Sequence, residues 1–421
     1  MPTRKSINHN DMRNMNLAVI LNHLHRQAPV SRSQIARHTG LNRATITNLT
    51  RELISRGLVI EAETATHSSL VGHPSIDLTI NPDAGRIIAA EITDTHISTV
   101  LTDLEASILW RRDEPVDKEA SIEKTLAMAL HTLQDAYQTA LTWDLPILGI
   151  GLGLQGMVDF FNDILLYTPG HGWLDIPLGT IIGDHFPTPL FTGNIVHMTA
   201  QGENYFGDAQ KTENALFVSL DSAIDGAIFF NDTILPGSEG LAGSFGHMSL
   251  DSLGETCTCG NRGCWDLFAS QAALIRRIEE QISAGQPTIL RQDASGQPTM
   301  FSIQDIVQAA RQSDQVALKA LQDTAEWIGA GIANLINLMN PGNVVIGGSM
   351  VAAEEFLLPI INSEIDKRIL RPCENCSVSI ANIRENAGLI GIVATVIWNI
   401  LNRPEVAMPL TSARVVASGA S

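Results

Sequence analysis

Cysteine is scarce in this chain, with five residues among 421. So few thiols exclude a disulfide framework as the source of its stability. Aromatic residues make up only 5%. There is no uninterrupted apolar run of about 18 residues, which excludes a membrane-spanning helix. The first residues, "MPTRKSINHNDMRN", lack the apolar core of a secretory signal. A reducing cytoplasm is the expected location. What remains is a globular composition, 44% hydrophobic and 17% charged, in a chain too long for one core. Two or three domains are expected.

Positive charge is also in short supply, but not everywhere. The chain carries −18 overall, yet residues 1–60 hold nine basic residues (Arg4, Lys5, Arg13, Arg26, Arg32, Arg37, Arg43, Arg51 and Arg56) against Asp11 and Glu52. That head is net +7 and leaves −25 for everything after it. A basic head on an acidic body implies that only the head meets a polyanion.

Within the head, Leu17, Ile20, Leu21 and Leu24 form one helical stripe. Ser31 can cap a short helix running to about Thr39, Gly40 supplies a tight turn, and Asn42 can cap the next helix. On that second helix Ile46, Leu49, Leu53 and Ile54 are expected to face inward, leaving Arg43, Thr47, Asn48 and Arg51 outward. This is a helix–turn–helix pattern, whose second helix enters the major groove of double-stranded DNA. Arginine suits guanine, asparagine suits adenine, and threonine serves base or phosphate. Arg32 and Thr45 complete the expected contacts from the helices. Gly57 ends the second helix, and residues 58–80 read as two strands around a polar loop, which is a wing. The winged helix–turn–helix domain is placed at residues 1–82.

From about Gly85 the pattern changes to alternation of strands and helices. "RIIAAEIT", "ISTVLTDL", "ILGIGLGL", "ALFVSLDS", "GAIFFNDT" and "NVVIGGSM" are β-like, and two long amphipathic helices lie between them. Such alternation indicates α/β domains with mostly buried sheets.

Several segments in order carry a family resemblance: "GIGLGLQGMVD", "GWLDIPLG", "GSEGLAGSFGH", "CTCGNRGC" and "NPGNVVIGG". Over about residues 10–400 the chain resembles the ROK family, which contains sugar-responsive repressors and sugar kinases. With its winged head it is similar to the repressor branch. The resemblance implies two α/β lobes of the actin-like, ribonuclease-H-like ATPase fold, with a cleft between them. The first lobe is expected over residues 83–194, completed by 385–403, and the second over 195–384. Residues 404–421 are expected to be a mobile tail. Family repressors often carry Gly-Arg-Pro in the wing, where this chain has Gly72, His73 and Pro74. Histidine is shorter and mostly neutral at pH 7, so a weaker, pH-sensitive minor-groove contact is expected there.

Three of the five cysteines crowd into "CTCGNRGC". A disulfide between Cys257 and Cys259 would close a very small ring and leave Cys264 over. A redox pair is usually spaced Cys-x-x-Cys, which this is not. Three thiolates on a glycine-tightened loop can converge on one tetrahedral ion, and His247 offers a fourth ligand. The resemblance implies the same four residues, His247, Cys257, Cys259 and Cys264, as ligands of one structural Zn2+ per chain. Cys373 and Cys376 form half a site with no nearby histidine and read as incidental.

A family kinase needs a carboxylate to accept the sugar hydroxyl's proton and glycine-rich loops for phosphate. The resemblance places that aspartate in a Glu-Asn-Asp run; here the aligned residues are Gly193, Asn194 and Ile195. "EITDT", residues 91–95, lacks the glycines of the first phosphate loop. "DSAIDGAI", residues 221–228, puts Asp221 and Asp225 where amides would cradle phosphate. In the sugar clamp, Ser244 replaces a glutamate and Asp266 stands one methylene short of another, while Asn194 and His247 remain. These four are the candidate ligand-binding residues. With the aspartate and the glutamate both lost, a sugar or sugar derivative would have to bind in another pose; a different ligand, or none, is the favoured alternative.

The expected protein is therefore no enzyme. It is a repressor of carbohydrate-related genes, bound to a palindromic operator as a homodimer that can assemble further to a tetramer. The rival readings are a sugar kinase-like enzyme with a regulatory head and a constitutive DNA binder with a vestigial cleft.

Overall fold

The computed structural model describes residues 8–62, 76–117, 119–168, 172–207, 212–290, 301–373 and 375–403. Helix α1 (His9–Gln27) starts at Asn8, whose side chain accepts from the Asn10 and Asp11 amides. Two donors that a helix start leaves open are thereby satisfied. Leu17, Ile20, Leu21 and Leu24 are buried, as their spacing requires. After strand β1 (Val30–Ser31), Ser31 caps α2 (Arg32–Thr39), which ends on left-handed Gly40. Asn42 caps α3 (Arg43–Ser55). Strands β2 (Val59–Glu61) and β3 (Asp77–Ile80) follow, and β3 pairs antiparallel with both β1 and β2. The head is a winged helix–turn–helix. Gly72 and His73 of the wing, like the segment 404–421, lie outside the described residues.

One core position differs from expectation. Ile54 is only half-buried, and Thr50 takes its place in the α3 stripe with Ile46, Leu49 and Leu53. The Thr50 hydroxyl donates to the Ile46 carbonyl at 2.8 Å, so the core gains a methyl without stranding a polar group.

The chain divides into two compact units, one of residues up to Met198 together with those from Gly388, the other Thr199–Ala387. After the head come β4 (Arg86–Ile92), β5 (His96–Thr102), β6 (Ile108–Pro115), α4 (Ile122–Leu141) and β7 (Ile147–Leu154). A separate antiparallel sheet of β8 (Met157–Asp159), β9 (Ile164–Thr168) and β10 (Trp173–Pro177) follows. Helix α5 (Leu178–Ile181), β11 (Leu190–Asn194) and α6 (Ile195–Phe206) lead into the second unit. There the order is β12 (Ala215–Leu220), β13 (Ile224–Phe230), β14 (Thr233–Ile234), α7 (Asp266–Ala269), α8 (Gln271–Ser283) and α9 (Ile303–Arg311). Helix α10 (Gln315–Met339), β15 (Asn343–Gly347), α11 (Glu354–Arg368) and β16 (Ser377–Ile380) complete it, and α12 (Ala387–Asn402) returns to the first.

The two main sheets share one topology. The first runs β11-β7-β4-β5-β6 and the second β14-β13-β12-β15-β16. In each, the sheet's first three strands in chain order form an antiparallel meander and its last two add in parallel beside the first. This doubled pattern is the actin-like fold that the resemblance implies. Leu126, Ala129, Leu133 and Ala136 of α4 pack on the first sheet's core, and Ile328, Ile332 and Ile336 of α10 on the second's. No helix among the described residues is long and apolar enough to cross a membrane.

The head also contains an acid-sensitive contact. His23 on α1 and His38 on α2 stack with ring centroids 5.2 Å apart, and His23 Nε2 is buried with no hydrogen-bond partner among the described residues. Burial first, and then His38, holds the His23 pKa below its ordinary 6.5. The folded head thus binds fewer protons here than the unfolded chain, and stability falls as the pH drops below that value. Thermal unfolding of the full chain at about pH 7.5 and pH 5.5 should show the head transition falling in acid, and falling less in His23→Gln.

Candidate DNA-binding surface and metal centre

On α3 the buried stripe leaves Arg43, Asn48 and Arg51 exposed, with Thr45 and Thr47 partly so. The Thr47 hydroxyl donates to the Arg43 carbonyl, and the Thr45 amide to the Asn42 cap, both at 2.8 Å. The guanidinium groups of Arg43 and Arg51 have no protein partner among the described residues. Neither has Arg37, exposed on α2, which the helix-by-helix reading of the sequence passed over although it counted towards the basic head. The remaining arginines differ. Glu52 of α3 holds both Arg13 of α1 and Arg56, the latter at 2.7 Å. Arg32 is engaged within the head, donating from Nε to Thr50 Oγ1 at 3.2 Å and from Nη2 to Glu61 Oε1 at 3.0 Å.

In the second unit His247 ends a short 3-10 turn, and Cys257, Cys259 and Cys264 lie on the loop after it. Bridges between Ser249 and Cys264 and between Thr256 and Arg262 fold that loop back on itself. The four ligand atoms all lie within 4.8 Å of one another. Cys257 Sγ is 3.8 Å from His247 Nδ1, and Cys259 Sγ is 3.7 Å from Cys264 Sγ. A disulfide needs about 2.05 Å. A tetrahedral ion with sulfur at about 2.3 Å and nitrogen at about 2.0 Å needs S···S near about 3.8 Å and S···N near about 3.5 Å. The spacing fits an ion and not a disulfide.

Thiols packed this closely do not all ionise by themselves. Burial, then the Cys259 and Cys257 thiols, push Cys264 up to about 12. Cys257 is opposed by burial, but the Cys259 amide, the other two thiols and His247 hold it at about 7. A divalent cation reverses this balance by deprotonating its thiol ligands.

Cys264 is fixed through the next residue. Trp265 is wholly buried, and its Nε1 donates to the Trp327 carbonyl at 2.8 Å. Its indole fills the space over Gly331 of α10, where a Cβ would stand 2.1 Å from the ring. The loop's own turn needs Gly263, which has φ +62 and approaches the Asp251 carbonyl so closely that a Cβ would lie 1.6 Å from its oxygen. A tryptophan directly after the last cysteine is the sequence signal for this anchor.

The candidate ligand residues are partly engaged already. Asp266 opens α7 and accepts the Ile224 amide at 2.6 Å, while burial raises its pKa. Ser244 is exposed and donates to the Leu241 carbonyl at 3.4 Å. In the first unit Asn194 accepts the Val196 amide at 2.7 Å and donates to the Gly156 carbonyl at 2.8 Å. Ile195 beside it is buried, and its side chain covers Gly153 of β7 together with Ile392 of α12. Asp221 accepts from the Ser349 amide and the Ser219 hydroxyl, each at 2.7 Å. Asp225 accepts the Gly226 amide at 2.9 Å. Elsewhere, burial and then Cys373 raise the Cys376 thiol to about 11, which leaves it protonated and inert.

Residues 87–398 match the model of the ROK family, and residues 18–68 that of the MarR family. The chain belongs to the ROK family. A putative xylose repressor of Caldicellulosiruptor sp. (strain Rt8B.4) is 32% identical over 406 residues, spanning 94% of this chain and 99% of its own. The DNA-binding transcriptional dual regulator NagC of Escherichia coli (strain K12) is 28% identical over 393 residues, spanning 93% and 94%. A crystal structure of a ROK family transcriptional regulator, a homolog of the E. coli MLC protein, matches 94% of this chain and 99% of its own. Its TM-score is 0.82 at 26% identity. A ROK family glucokinase from Streptomyces griseus, solved with glucose and AMPPNP, matches 74% of this chain and 99% of its own, with a TM-score of 0.62 at 26% identity. This chain thus joins a ROK body to a MarR-type winged head.

The anchor of the ROK loop is testable by itself. Gly331→Ala should displace the Trp265 ring and cost about 1–3 kcal/mol, the usual range for overpacking a core. In chelator-treated protein it should also open Cys264, so that thiol titration with a disulfide reagent counts one more fast-reacting cysteine than in the parent. An unchanged melting midpoint and an unchanged fast count would show that the notch does not hold the loop.

Proposed function

We propose that this ROK chain is a DNA-binding repressor of carbohydrate-related genes that performs no catalysis. One observation carries the reading. Unpartnered Arg43 and Arg51 on α3 occur in the same chain as a buried isoleucine, Ile195, at the position where the family's kinases are expected to hold their base. Isoleucine cannot accept a proton, and Asp221 spends its carboxylate on the Ser349 amide. The names of the xylose repressor and of NagC support the regulatory reading.

In this reading residues 1–82 bind DNA, residues 83–194 with 385–403 form the first lobe, and 195–384 form the second. The protein acts in the cytoplasm as a homodimer on a palindromic operator. Arg43 and Asn48 read bases, while Arg37, Arg51, Thr45 and Thr47 meet phosphates and position the helix. Gly72 and His73 belong to the wing's minor-groove contact. A sugar or sugar-derivative effector would meet Asn194, Ser244, His247 and Asp266. His247, Cys257, Cys259 and Cys264 would hold one Zn2+, and a closed shell of three thiolates and an imidazole leaves no open position for hydrolysis.

Sequencing the genomic fragments that the purified chain retains tests the repressor reading, and a panel of sugars with ATP tests for turnover. Arg43→Ala and Asn48→Ala should each cost about 1–3 kcal/mol on a retained site. Arg37→Ala should weaken all sequences alike and lower the salt slope by about one. Failure to retain any fragment in a salt-dependent way, or phosphorylation of any sugar, would sink the proposal.

Elemental analysis of protein purified without chelator should find one zinc per chain. Thiolates must lose protons to bind it, so acid should release the metal, and Cys259→Ser should lack it from the start. Wild type that carries no metal as purified, titrates all three loop thiols and gains no stability from added zinc would refute a zinc role.

A further inference from the structure

We propose that Arg32 is a positioning residue, bracketing α3 and the base of the wing through Thr50 and Glu61, and that it does not itself bind phosphate. Arg32 is the first residue of α2. Its Nε donates to Thr50 Oγ1 at 3.2 Å, and Thr50 is wholly buried in the middle of α3. The Thr50 hydroxyl gives its own proton to the Ile46 carbonyl, and the arginine supplies a bond for this buried oxygen to accept. Nη2 reaches Glu61 Oε1 at 3.0 Å. Glu61 is the last residue of β2 and lies opposite Leu78 of β3. One planar guanidinium therefore joins α2, α3 and the wing strand.

The comparison with its neighbours separates the two roles. Arg37, Arg43 and Arg51 have no protein partner among the described residues and can turn to phosphates without breaking an internal bond. Arg32 would have to give up Glu61 to do the same. The pair is partly exposed, with side-chain exposures of 30% and 47%, so its contribution to folding is small. Its effect lies in geometry. The major-groove helix and the wing must engage the duplex together, and a shift of the wing base relative to α3 spoils one contact whenever the other is made. Lysine cannot replace it, because a point charge does not span two acceptors held by a planar fork.

The test uses the full chain and a duplex of about 30 base pairs that the wild type itself selects from random-sequence DNA, with affinity followed over about 50–300 mM salt. Arg32→Ala, Arg32→Lys, Glu61→Ala and Thr50→Val should each weaken binding about three- to tenfold, the scale of one hydrogen-bonded contact. The salt slope should stay at the wild-type value. Arg32→Ala combined with Glu61→Ala should be no weaker than the weaker single variant, because both remove the same bracket. Melting midpoints close to wild type show that the head is folded, and Thr50→Val, nearly isosteric, serves if a charge variant is not. A loss of about one from the slope in Arg32→Ala would make Arg32 a phosphate ligand and overturn the proposal. So would tighter binding by Glu61→Ala, or wild-type binding by Arg32→Lys. The inference rests on DNA binding by the head, which the wild-type affinity and its salt dependence report separately from any variant.

Discussion

The indole of Trp265 occupies space that α10 leaves open by having only a hydrogen at Gly331, and it is held there by the Trp327 carbonyl. The residues on either side inherit its position. Cys264 before it faces the other ligand atoms, and Asp266 after it receives the Ile224 amide that begins β13. The loop between His247 and Cys264 is otherwise held by its own backbone bridges and by Met248 and Leu250, half-buried against the second core. Of the three cysteines two are buried, and Thr256, Thr258, Cys259, Gly260, Asn261 and Arg262 are exposed. A segment that buries so little apolar surface cannot offset about 1–2 kcal/mol of backbone entropy per residue by packing alone. Hydrogen bonds within the loop and an anchor in the core at its end make up the difference, and Trp265 is that anchor.

The head distributes its positive charge with similar economy. Glu52 neutralises Arg13 and Arg56 and draws α1 against α3, while Glu61 takes Arg32. Two carboxylates thus organise three arginines into supports. Arg37, Arg43 and Arg51, which have no partner among the described residues, lie on α2 and α3. A net charge computed for the head therefore overstates what it can offer to a polyanion, since counterion release counts only the charges that reach phosphate.

Much of this was legible in the sequence where the determinants are local. Ser31 and Asn42 cap their helices from one residue away, and the α1 stripe needs only its spacing. Three of the four Cys/His side chains that cluster, Cys257, Cys259 and Cys264, fall within eight residues, so chain geometry restricts how far apart they can be. Arg32 was not legible, because its partners lie 18 and 29 residues away and nothing local chooses between glutamate and phosphate. Asp221 is a clearer case still, with Ser349 128 residues distant. Strand β6 was missed for another reason. "ILWRRDEP" is an edge strand paired only with β5, and its alternation is of charge, with Arg111 beside Asp113 and Arg112 beside Glu114. Edge strands carry charge to discourage further pairing, and that hides them from a search for apolar periodicity. Ile54 failed because a threonine that satisfies its own hydroxyl packs as an apolar residue does.

The joint between head and body follows from the same kind of bonding. Asn81 donates its side-chain amide to the Gly57 carbonyl at 2.7 Å and its backbone amide to that of Leu58 at 2.9 Å, which ties it to the head. One residue later the Pro82 carbonyl accepts the Leu104 amide, and the Arg86 amide reaches the Pro146 carbonyl at 2.8 Å, which ties the same segment to the turns beside β5 and β7. The Arg86 guanidinium bonds Asp83 and lies 5.5 Å from the Trp143 ring centre. At the far end of α1, Asn22 donates to Asn402 of α12 at 3.1 Å. Two separate attachments remove the freedom that a single flexible linker would leave. A head held in this way takes its orientation from the body, so a change in the body need not be large to alter where α3 points. A flexible tether of the same length would instead leave α3 free to take many orientations relative to the sheet that begins with β4. The bonds from Asn81 to Arg86 thus couple the position of α3 to that of this sheet.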